Sequence, residues 1–283
     1  MENSKIEIHT SGAALGAEIY NINLKDHLSD EAKKTLRQAL DDYEVIFFPD
    51  QNLDPNQQKE ATRIFGPLLP SYTFFDHLDD DPEVELVIND KDNPPTGTAR
   101  WHADLTWAEE PPGGTSLYAR KLPGDGTGNT IWASMSAAYD ALSDRMKSYL
   151  EGLEAVHSWD LLLDGRTQFL ARSGEAFLNH KAKNPPIPQP VIRTHPRTGK
   201  KILNVNPTFT NHIVGLPRLE SQGILEFLFG LPARPENQVR HKWHEGTLAV
   251  WDNTATQHTA VDDFYPQYRE LTRVTFGGHG VPV

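Results

Sequence analysis

Histidine and carboxylate residues give this sequence its most specific chemical signal. His102 and Asp104 lie two residues apart. In an extended backbone, residues at this spacing direct their side chains to the same face, so one short segment could present both groups to a metal ion. A third ligand must come from elsewhere in the fold, and His258 follows the β-prone run 247–251 closely enough to supply it.

Two histidines and one carboxylate on one face of a metal ion form a facial triad. Such a triad leaves three positions of an octahedral iron(II) open, two for a chelating 2-oxo acid and one for dioxygen. Structural zinc would normally take a closed fourth ligand. The chain has no cysteine, so any strong metal site must use nitrogen and oxygen ligands. The alternative is that His102 and Asp104 form only the exposed polar end of a strand.

Two arginines near the C-terminus could bind carboxylates. Arg269 and Arg273 follow His258 by eleven and fifteen residues. If residues 268–276 form a strand, alternation places 269, 271, 273 and 275 on one face, with the guanidiniums about 13 Å apart. A planar guanidinium matches a carboxylate bidentately, which suits Arg269 to 2-oxoglutarate. The alternative for each arginine is an exposed surface charge.

Composition limits the class of protein. The 283 residues are 37% hydrophobic and 23% charged, which is typical of a globular chain and compatible with one domain. A formal net charge of -12 would repel a phosphate backbone, so nucleic acid is not an expected partner. The N-terminus lacks a signal-peptide pattern, and no stretch reaches the roughly 20 apolar residues of a membrane span. The sequence therefore predicts a cytoplasmic protein without a membrane partner.

The first hundred residues contain two predicted helices around a buried strand. Ser29 can cap a helix whose apolar residues recur at helical spacing up to Tyr43. The apolar run 45–48 predicts a buried strand. A second helix is predicted after Asp54, with Gln57 placed for a capping box and Gly66 as its end.

From residue 84 onward, short β-prone runs dominate. They cover 84–88, 115–119, 202–205 and 247–251, and a hairpin turn is predicted at 195–200. Residues 134–150 carry helical signals, and the polar, proline-rich stretch 164–190 predicts an insertion, so 134–190 is expected to be helix and loop. The pattern favours a mainly β barrel or sandwich with α additions.

The chain resembles the taurine dioxygenase and 2,4-dichlorophenoxyacetate dioxygenase family over nearly its whole length. The motifs that carry the resemblance are Phe47-Phe48, Asp50-Gln51, Arg63 to Gly66, Asn93-Pro94-Pro95, Trp101-His102-Ala103-Asp104, Pro111-Pro112, Thr194-His195-Pro196, Trp251-Asp252-Asn253 and Gln257-His258. The resemblance implies a double-stranded β-helix, a cupin-like jelly roll, with helical insertions. It assigns iron(II) to His102, Asp104 and His258, and 2-oxoglutarate to Arg269 together with Thr130.

The resemblance also implies a reaction and a substrate class. Dioxygen would oxidise an aliphatic C–H bond while 2-oxoglutarate is converted to succinate and CO2, with hydroxylation as the default outcome. Arg273 would grip a sulfonate, sulfate ester or carboxylate of a small substrate. Taurine itself is not favoured, because residues 67–71 lack the histidine of sulfonate-taking relatives. Ser71, Trp107 and Phe209 are further candidates for substrate contact, although these aromatic residues could equally belong to the core.

Two other functions remain open at this point. The same scaffold could direct desaturation or cyclisation in natural product biosynthesis, because the outcome depends on the placement of the substrate carbon. A β-barrel that binds small molecules without turnover is the other alternative, and the intact ligands argue against it. Asp104 argues against a halogenase, which would leave that coordination position to a halide. Relatives are commonly dimers or tetramers, so a homo-oligomer is expected.

Four other histidines have less specific interpretations. His241 and His244 are predicted on opposite faces of a strand over 239–244, which argues against shared metal binding. His195 belongs to the predicted hairpin. His157 could line the pocket, but a hydrogen-bonded core imidazole is favoured. Three aromatic residues at 72, 74 and 75 and Trp159 are predicted near the pocket, with the core as the alternative.

Overall fold

The computed structural model describes residues 5–70, 76–78, 81–95, 99–158 and 182–283. Ser71, the aromatic residues at 72, 74 and 75, and Trp159 lie outside these ranges. The helices of the described part are α1 (Asp30–Tyr43), α2 (Pro55–Arg63), α3 (Met135–Asp140), α4 (Asp144–Leu150) and α5 (Arg218–Phe229), with a 3-10 turn at Pro235–Asn237. None of these helices combines the length and apolar character needed to cross a membrane.

Among the described residues, more lie in strands than in helices, as the sequence predicts. The strands are β1 (Glu7–Thr10), β2 (Ala17–Tyr20), β3 (Val45–Phe48), β4 (Leu68–Leu69), β5 (Asp76–Leu78), β6 (Asp81–Asn89), β7 (Gly114–Lys121), β8 (Thr130–Ser134), β9 (Glu154–His157), β10 (Ile187–Pro190), β11 (Ile192–Thr194), β12 (Lys201–Leu203), β13 (Thr210–Ile213), β14 (Gln238–His241), β15 (Leu248–Asp252), β16 (Thr256–Ala260) and β17 (Arg269–Phe276).

Two sheets of the described residues carry predicted site residues, among them Arg269 and Arg273 on β17 and His258 on β16. The large sheet has the order β1-β2-β3-β15-β7-β17-β6-β5, with β4 paired to β17. The second sheet has the order β14-β8-β16 and includes His258. The strands β11 and β12 form the predicted hairpin, and β10-β9-β13 form a further small sheet.

The central strand β15 is buried on both faces. Leu248 and Val250 pack in a cluster with residues of α1 and α2, such as Leu40. Ala249 and Trp251 belong to another cluster that includes Trp132 of β8. Alternation along a strand therefore places helices on one side of the large sheet and the second sheet on the other.

The N-terminal helices begin as the sequence predicts. The Ser29 hydroxyl accepts a hydrogen bond from the Ala32 amide, which caps α1. Asp54 and Gln57 form the predicted capping box of α2. Gly66 lies just beyond α2, and a Cβ there would stand 2.5 Å from the Gly277 carbonyl oxygen, so close backbone approach requires glycine.

Three element predictions need correction. The helical interval 134–150 is two helices, because Ser143 caps α4 and restarts the helix after a break. The predicted helix-and-loop interval 134–190 also contains strands β9 and β10, and β10 pairs with β9. The strand predicted over 239–244 ends at His241, so alternation does not extend to His244.

Candidate metal and cosubstrate site

The backbone brings the two histidines of the triad together. The His102 amide donates to the His258 carbonyl oxygen (3.1 Å), and the His258 amide donates to the His102 carbonyl oxygen (2.8 Å). His258 lies in β16, whereas His102 forms an isolated bridge rather than part of a regular strand. Asp104 falls in the turn that follows, and Leu105 has a φ of 52°. The predicted extended strand through both ligands is therefore only this one bridge.

The three predicted ligand side chains converge on one point. Asp104 Oδ1 lies 3.8 Å from His102 Nε2 and 3.9 Å from His258 Nε2. One atom from each residue falls within 4.8 Å of the others. Two imidazole nitrogens and one carboxylate oxygen on one side of a common point are the donor set of a facial triad.

Hydrogen bonding and burial keep the imidazoles ready to bind metal. The Arg100 carbonyl oxygen lies 2.8 Å from His102 Nδ1, so that nitrogen carries the proton and Nε2 keeps its lone pair. Burial lowers the pKa of His102. Burial, with the neighbouring His102, lowers the pKa of His258 to about 3. Both rings are therefore neutral at neutral pH, which is the form that binds metal.

The carboxylate of Asp104 divides its two oxygens between different tasks. Oδ1 faces the imidazoles, whereas Oδ2 accepts hydrogen bonds from Thr115 Oγ1 (3.2 Å) and from an Nη atom of Arg273 (2.9 Å). Burial alone would raise the pKa of Asp104, but Arg273 and the two histidines outweigh burial and hold it below its usual range. The carboxylate stays ionised, with one oxygen directed at the metal position.

Asn253 fixes the backbone of Asp104. Its Oδ1 accepts from the Asp104 amide (2.7 Å), and its Nδ2 donates to the Asp104 carbonyl oxygen (2.9 Å) and to that of Pro112 (3.2 Å). One side chain therefore satisfies both backbone groups of a ligand that lies in a turn. Sequence reasoning missed this role, although Asn253 belongs to a motif that carries the family resemblance.

Arg269 is a buried cation without an acidic partner among the described residues. Its exposed fraction is 4%, and its Nε–H meets no acceptor there. Burial lowers its pKa to about 10, so it remains charged at neutral pH. The Phe264 ring lies 5.4 Å from its guanidinium carbon. A buried guanidinium in this state is a strong site for an anion.

Thr130 begins β8 at the same end of the site as Arg269. A Cβ at Gly128 would stand 3.2 Å from Arg269 Cδ, so the chain segment before Thr130 packs directly on the arginine. The Thr130 hydroxyl accepts a hydrogen bond from Trp243 Nε1 (3.0 Å). That hydroxyl can still donate its own proton to a carboxylate.

Arg273 has surroundings that the sequence did not predict. Besides Asp104, it lies near Glu85, with 3.7 Å between a guanidinium nitrogen and Glu85 Oε2. Glu85 is 2% exposed and lies directly opposite Arg273 in the β17–β6 register. Residues directly opposed in an antiparallel pair share a face, so Glu85 belongs to the same interior as the triad's Asp104.

The remaining predicted residues have varied positions. Trp107 and Phe209 are buried, and their contact with substrate stays a prediction. Ser71 lies outside the described residues. His157 is a buried core imidazole near the Thr106 and Thr210 hydroxyls (2.9 and 3.3 Å), and burial lowers its pKa to about 3.

A second cluster, His195, Asp252 and His279, also brings metal-type ligands together. His195 Nδ1 accepts from the Arg197 and Thr198 amides, so its Nε2 carries the proton and donates to Asp252 Oδ2 (2.9 Å). In this tautomer, Nε2 has no lone pair for a metal ion. This cluster is a buried hydrogen-bond network that supports the hairpin.

The fold and the first cluster together define a class. A mainly β protein with two neutral imidazoles and one carboxylate on one side of an open position has the site of a mononuclear non-haem iron oxygenase. Hard oxygen and borderline nitrogen donors fit iron(II), and no fourth histidine, aspartate or glutamate of the described residues joins this group.

Comparison with known proteins identifies the family. Residues 7–275 match the family described as taurine catabolism dioxygenase TauD, TfdA family. An alpha-ketoglutarate-dependent sulfate ester dioxygenase of Pseudomonas putida is 32% identical over 99% of this chain and 91% of its own length. An (S)-phenoxypropionate/alpha-ketoglutarate-dioxygenase of Sphingobium herbicidovorans is 32% identical over 88% of this chain and 86% of its own.

A solved structure agrees. The crystal structure of a taurine dioxygenase from Burkholderia xenovorans has a TM-score of 0.83 and 31% identity, and the match covers 98% of this chain and 91% of that chain. The chain belongs to the TauD/TfdA dioxygenase family. It is therefore an oxidoreductase of the class that depends on iron(II), 2-oxoglutarate (alpha-ketoglutarate) and dioxygen.

Proposed function

We propose that this enzyme oxidises an aliphatic C–H bond of a small anionic substrate while it converts 2-oxoglutarate to succinate and CO2. The observation that carries this proposal is Arg269, which is buried, charged and without an acidic partner in the described part of the chain. A dicarboxylate cosubstrate would supply that missing anion, and the Thr130 hydroxyl would donate to the same carboxylate.

The metal has a defined place in this proposal. His102, His258 and Asp104 would hold iron(II) through Nε2, Nε2 and Oδ1. Iron(II) bound there supplies the redox chemistry that couples dioxygen to oxidation of the substrate as 2-oxoglutarate is decarboxylated. The protein's own contribution is to keep both imidazoles neutral, to hold Asp104 in place through Asn253, and to orient 2-oxoglutarate through Arg269.

The substrate class rests on Arg273 and on the relatives. The names of the relatives refer to a sulfate ester, a phenoxypropionate and taurine. All three molecules carry an anionic group, and Arg273, with 11% of its side chain exposed, is the second cation of the site. We assign it to that group, with Ser71, Trp107 and Phe209 as further contacts. Hydroxylation is the default outcome, and desaturation or cyclisation would need only a different placement of the substrate carbon.

The proposal extends to the fold and to its main alternative. We assign the β structure to a double-stranded β-helix of the cupin-like type, in a single domain over 1–283. A barrel that binds ligands without turnover would not need a complete triad. The ionised Asp104 and the two neutral imidazoles therefore favour an enzyme.

Anaerobic titration of the metal-free protein with iron(II) and 2-oxoglutarate tests the proposal. A weak metal-to-ligand charge-transfer band in the visible region is expected for the wild-type protein. The band should disappear in His102→Ala and remain in His244→Ala, which removes an exposed histidine away from the triad. A folded wild-type protein that binds iron(II) but gives no band with 2-oxoglutarate would overturn the assignment.

A further inference from the structure

The carboxylate of Glu85 sets this site apart from a simple anion-binding site. Arg273 already has Asp104 on one terminal nitrogen (2.9 Å) and Glu85 near the other (3.7 Å). Its Nε–H is buried and meets no acceptor among the described residues. The guanidinium therefore keeps its Nε–H for a ligand, while its charge is shared by two carboxylates.

The register of the sheet makes Glu85 a fixed part of the site. Glu85 lies opposite Arg273 on β6, and Val87 and Asn89 lie opposite Leu271 and Arg269 in the same ladder. Antiparallel pairing directs opposed side chains to one face, so Glu85 cannot turn to solvent without breaking the ladder. Its burial is consistent with this placement, at 2% exposure.

The charges of the described site balance before any substrate is present. The carboxylates of Glu85 and Asp104 offset the guanidiniums of Arg269 and Arg273. A divalent metal ion held by His102, Asp104 and His258 would offset the two carboxylates of 2-oxoglutarate. A substrate with one negative charge would add an uncompensated charge to a buried region, which is costly in a low-dielectric environment.

A donor group on the substrate removes this conflict. An ammonium, hydroxyl or amide N–H near the anionic group would face Glu85 while the anion meets the Nε–H of Arg273. A charge-assisted hydrogen bond to a buried carboxylate is among the stronger polar contacts in proteins. The same carboxylate would repel a simple anion that brings no donor.

We propose that Glu85 is a specificity-determining residue, which selects a substrate with a hydrogen-bond donor close to its anionic group over a simple anion. This inference rests on the proposed function, because it requires 2-oxoglutarate at Arg269 and the substrate anion at Arg273. It narrows the substrate from small anions in general to amino- or hydroxy-substituted ones.

Six probes in two series test the proposal. One series is ethanesulfonate, 2-hydroxyethanesulfonate and 2-aminoethanesulfonate. The other is phenylacetate with 2-hydroxy-2-phenylacetate and 2-amino-2-phenylacetate, in which the donor is on the carbon next to the carboxylate. Dissociation constants are measured without turnover, as the perturbation of the anaerobic charge-transfer band that iron(II) and 2-oxoglutarate give. In at least one series, the donor-bearing members should bind the wild-type protein at least tenfold more tightly than the plain anion.

The variant Glu85→Gln removes the charge and keeps the shape of the side chain. It should bind the plain anions roughly tenfold more tightly than the wild-type protein does, and the preference for donors should fall below threefold. The matched control is Glu83→Gln on the same strand, because Glu83 lies near Lys59 and Arg63. That control should behave as the wild-type protein does.

The outcomes separate the two proposals. Absence of the band in wild-type protein would overturn the proposed function. A normal band, with plain anions bound as tightly as donor-bearing ones by the wild-type protein, would overturn the role of Glu85 alone. The role of Glu85 would also be overturned if no probe binds the wild-type protein or Glu85→Gln, since no anion would then reach Arg273. The wild-type comparison stands even if Glu85→Gln fails to fold.

Discussion

Arg269 and Arg273 lie on the same face of β17, four residues apart in sequence. Their electrostatic surroundings nevertheless differ. Arg269 has no acidic partner among the described residues, and burial lowers its pKa to about 10. Arg273 lies between Asp104 and Glu85, which raise its pKa although burial alone would lower it. The charge of Arg269 is therefore available to an anionic ligand, whereas the charge of Arg273 is already compensated by two carboxylates.

The difference comes from the neighbouring strand. In the β17–β6 ladder, Asn89 lies opposite Arg269 and Glu85 lies opposite Arg273. An amide leaves the charge of its partner available, whereas a carboxylate neutralises it. The two arginines of β17 thus gain different binding properties because a different residue lies opposite each of them on β6.

The largest expected effect is on 2-oxoglutarate affinity. Arg269→Gln removes the buried cation that we assign to the distal carboxylate, and truncating such a pair costs about 4 kcal/mol, or roughly a thousandfold in affinity. The affinity is measured by anaerobic titration of the charge-transfer band, with iron(II) affinity as an internal check. Arg120→Gln is the control, because Arg120 is an exposed residue paired with Glu270. Unchanged 2-oxoglutarate affinity in Arg269→Gln would contradict the assignment.

The next largest effect is expected on the stability of the fold, from the buried hydrogen-bond network of His195, Asp252 and His279 outside the metal site. Asp252 is buried and paired with His195 and Arg197. Burial alone would raise its pKa, but the hydrogen bond from His195 and the nearby cations outweigh burial and lower the pKa to about 2. Asp252→Asn should lower the free energy of unfolding of the metal-free protein by about 3 kcal/mol at pH 7.

The pH dependence of this loss has a definite sign. A carboxylate whose pKa is lower in the folded state stabilises the protein above its unfolded pKa, near 4, and loses this contribution as the pH falls through about 2. Urea unfolding at several pH values should therefore show the gap between wild type and Asp252→Asn narrowing from pH 4 to pH 2. A gap that is constant over this range would show that the charge of Asp252 is not what stabilises the fold.

A smaller effect is expected on iron(II) affinity, through Asp104, the metal ligand that contacts Arg273. Asn253→Ser removes the side chain that holds both backbone groups of Asp104. Residues that orient metal ligands typically contribute ten- to a hundredfold, so we expect roughly 30-fold weaker iron(II) binding. The affinity is measured by competition with a chelator. Asn211→Ser is a surface control, and equal affinities in the two variants would rule out the orienting role.

The smallest expected effect is on 2-oxoglutarate affinity, in a variant that gives Arg269 and Arg273 the same type of cross-strand neighbour. Asn89→Asp gives Arg269 the carboxylate neighbour that Arg273 already has, with almost no change of shape. The new charge should compete with 2-oxoglutarate and weaken its binding about tenfold, or about 1.4 kcal/mol. The KM for 2-oxoglutarate and the band titration both report it. Tighter or equal binding would mean that position 89 does not reach the guanidinium.

The local parts of the structure could be predicted from sequence. The caps at Ser29 and Asp54 depend on neighbouring residues only, and the alternation along β17 follows from strand geometry. The spacing of His102 and Asp104 pointed to the triad, although the motif is a turn beyond a single bridge. The break between α3 and α4 had a local signal as well, in Ser143 followed by Asp144.

The long-range contacts could not be predicted in the same way. Glu85 acquires its role through the register of β6 against β17, and almost 190 residues separate it from Arg273. Asn253 and Asp104 meet although they are 149 residues apart. No periodicity or spacing in one sequence reports which strands pair, so these polar partners became visible only in the fold.

The pair of backbone hydrogen bonds between His102 and His258 gives the metal site a property of a rigid chelator. The separation of the two histidine backbones is fixed when the chain folds, by hydrogen bonds between their peptide groups. A metal ion would therefore meet two donors already held at a set separation, and little conformational freedom would remain to be lost on binding. Discrimination among metal ions would then depend partly on a separation that the backbone sets.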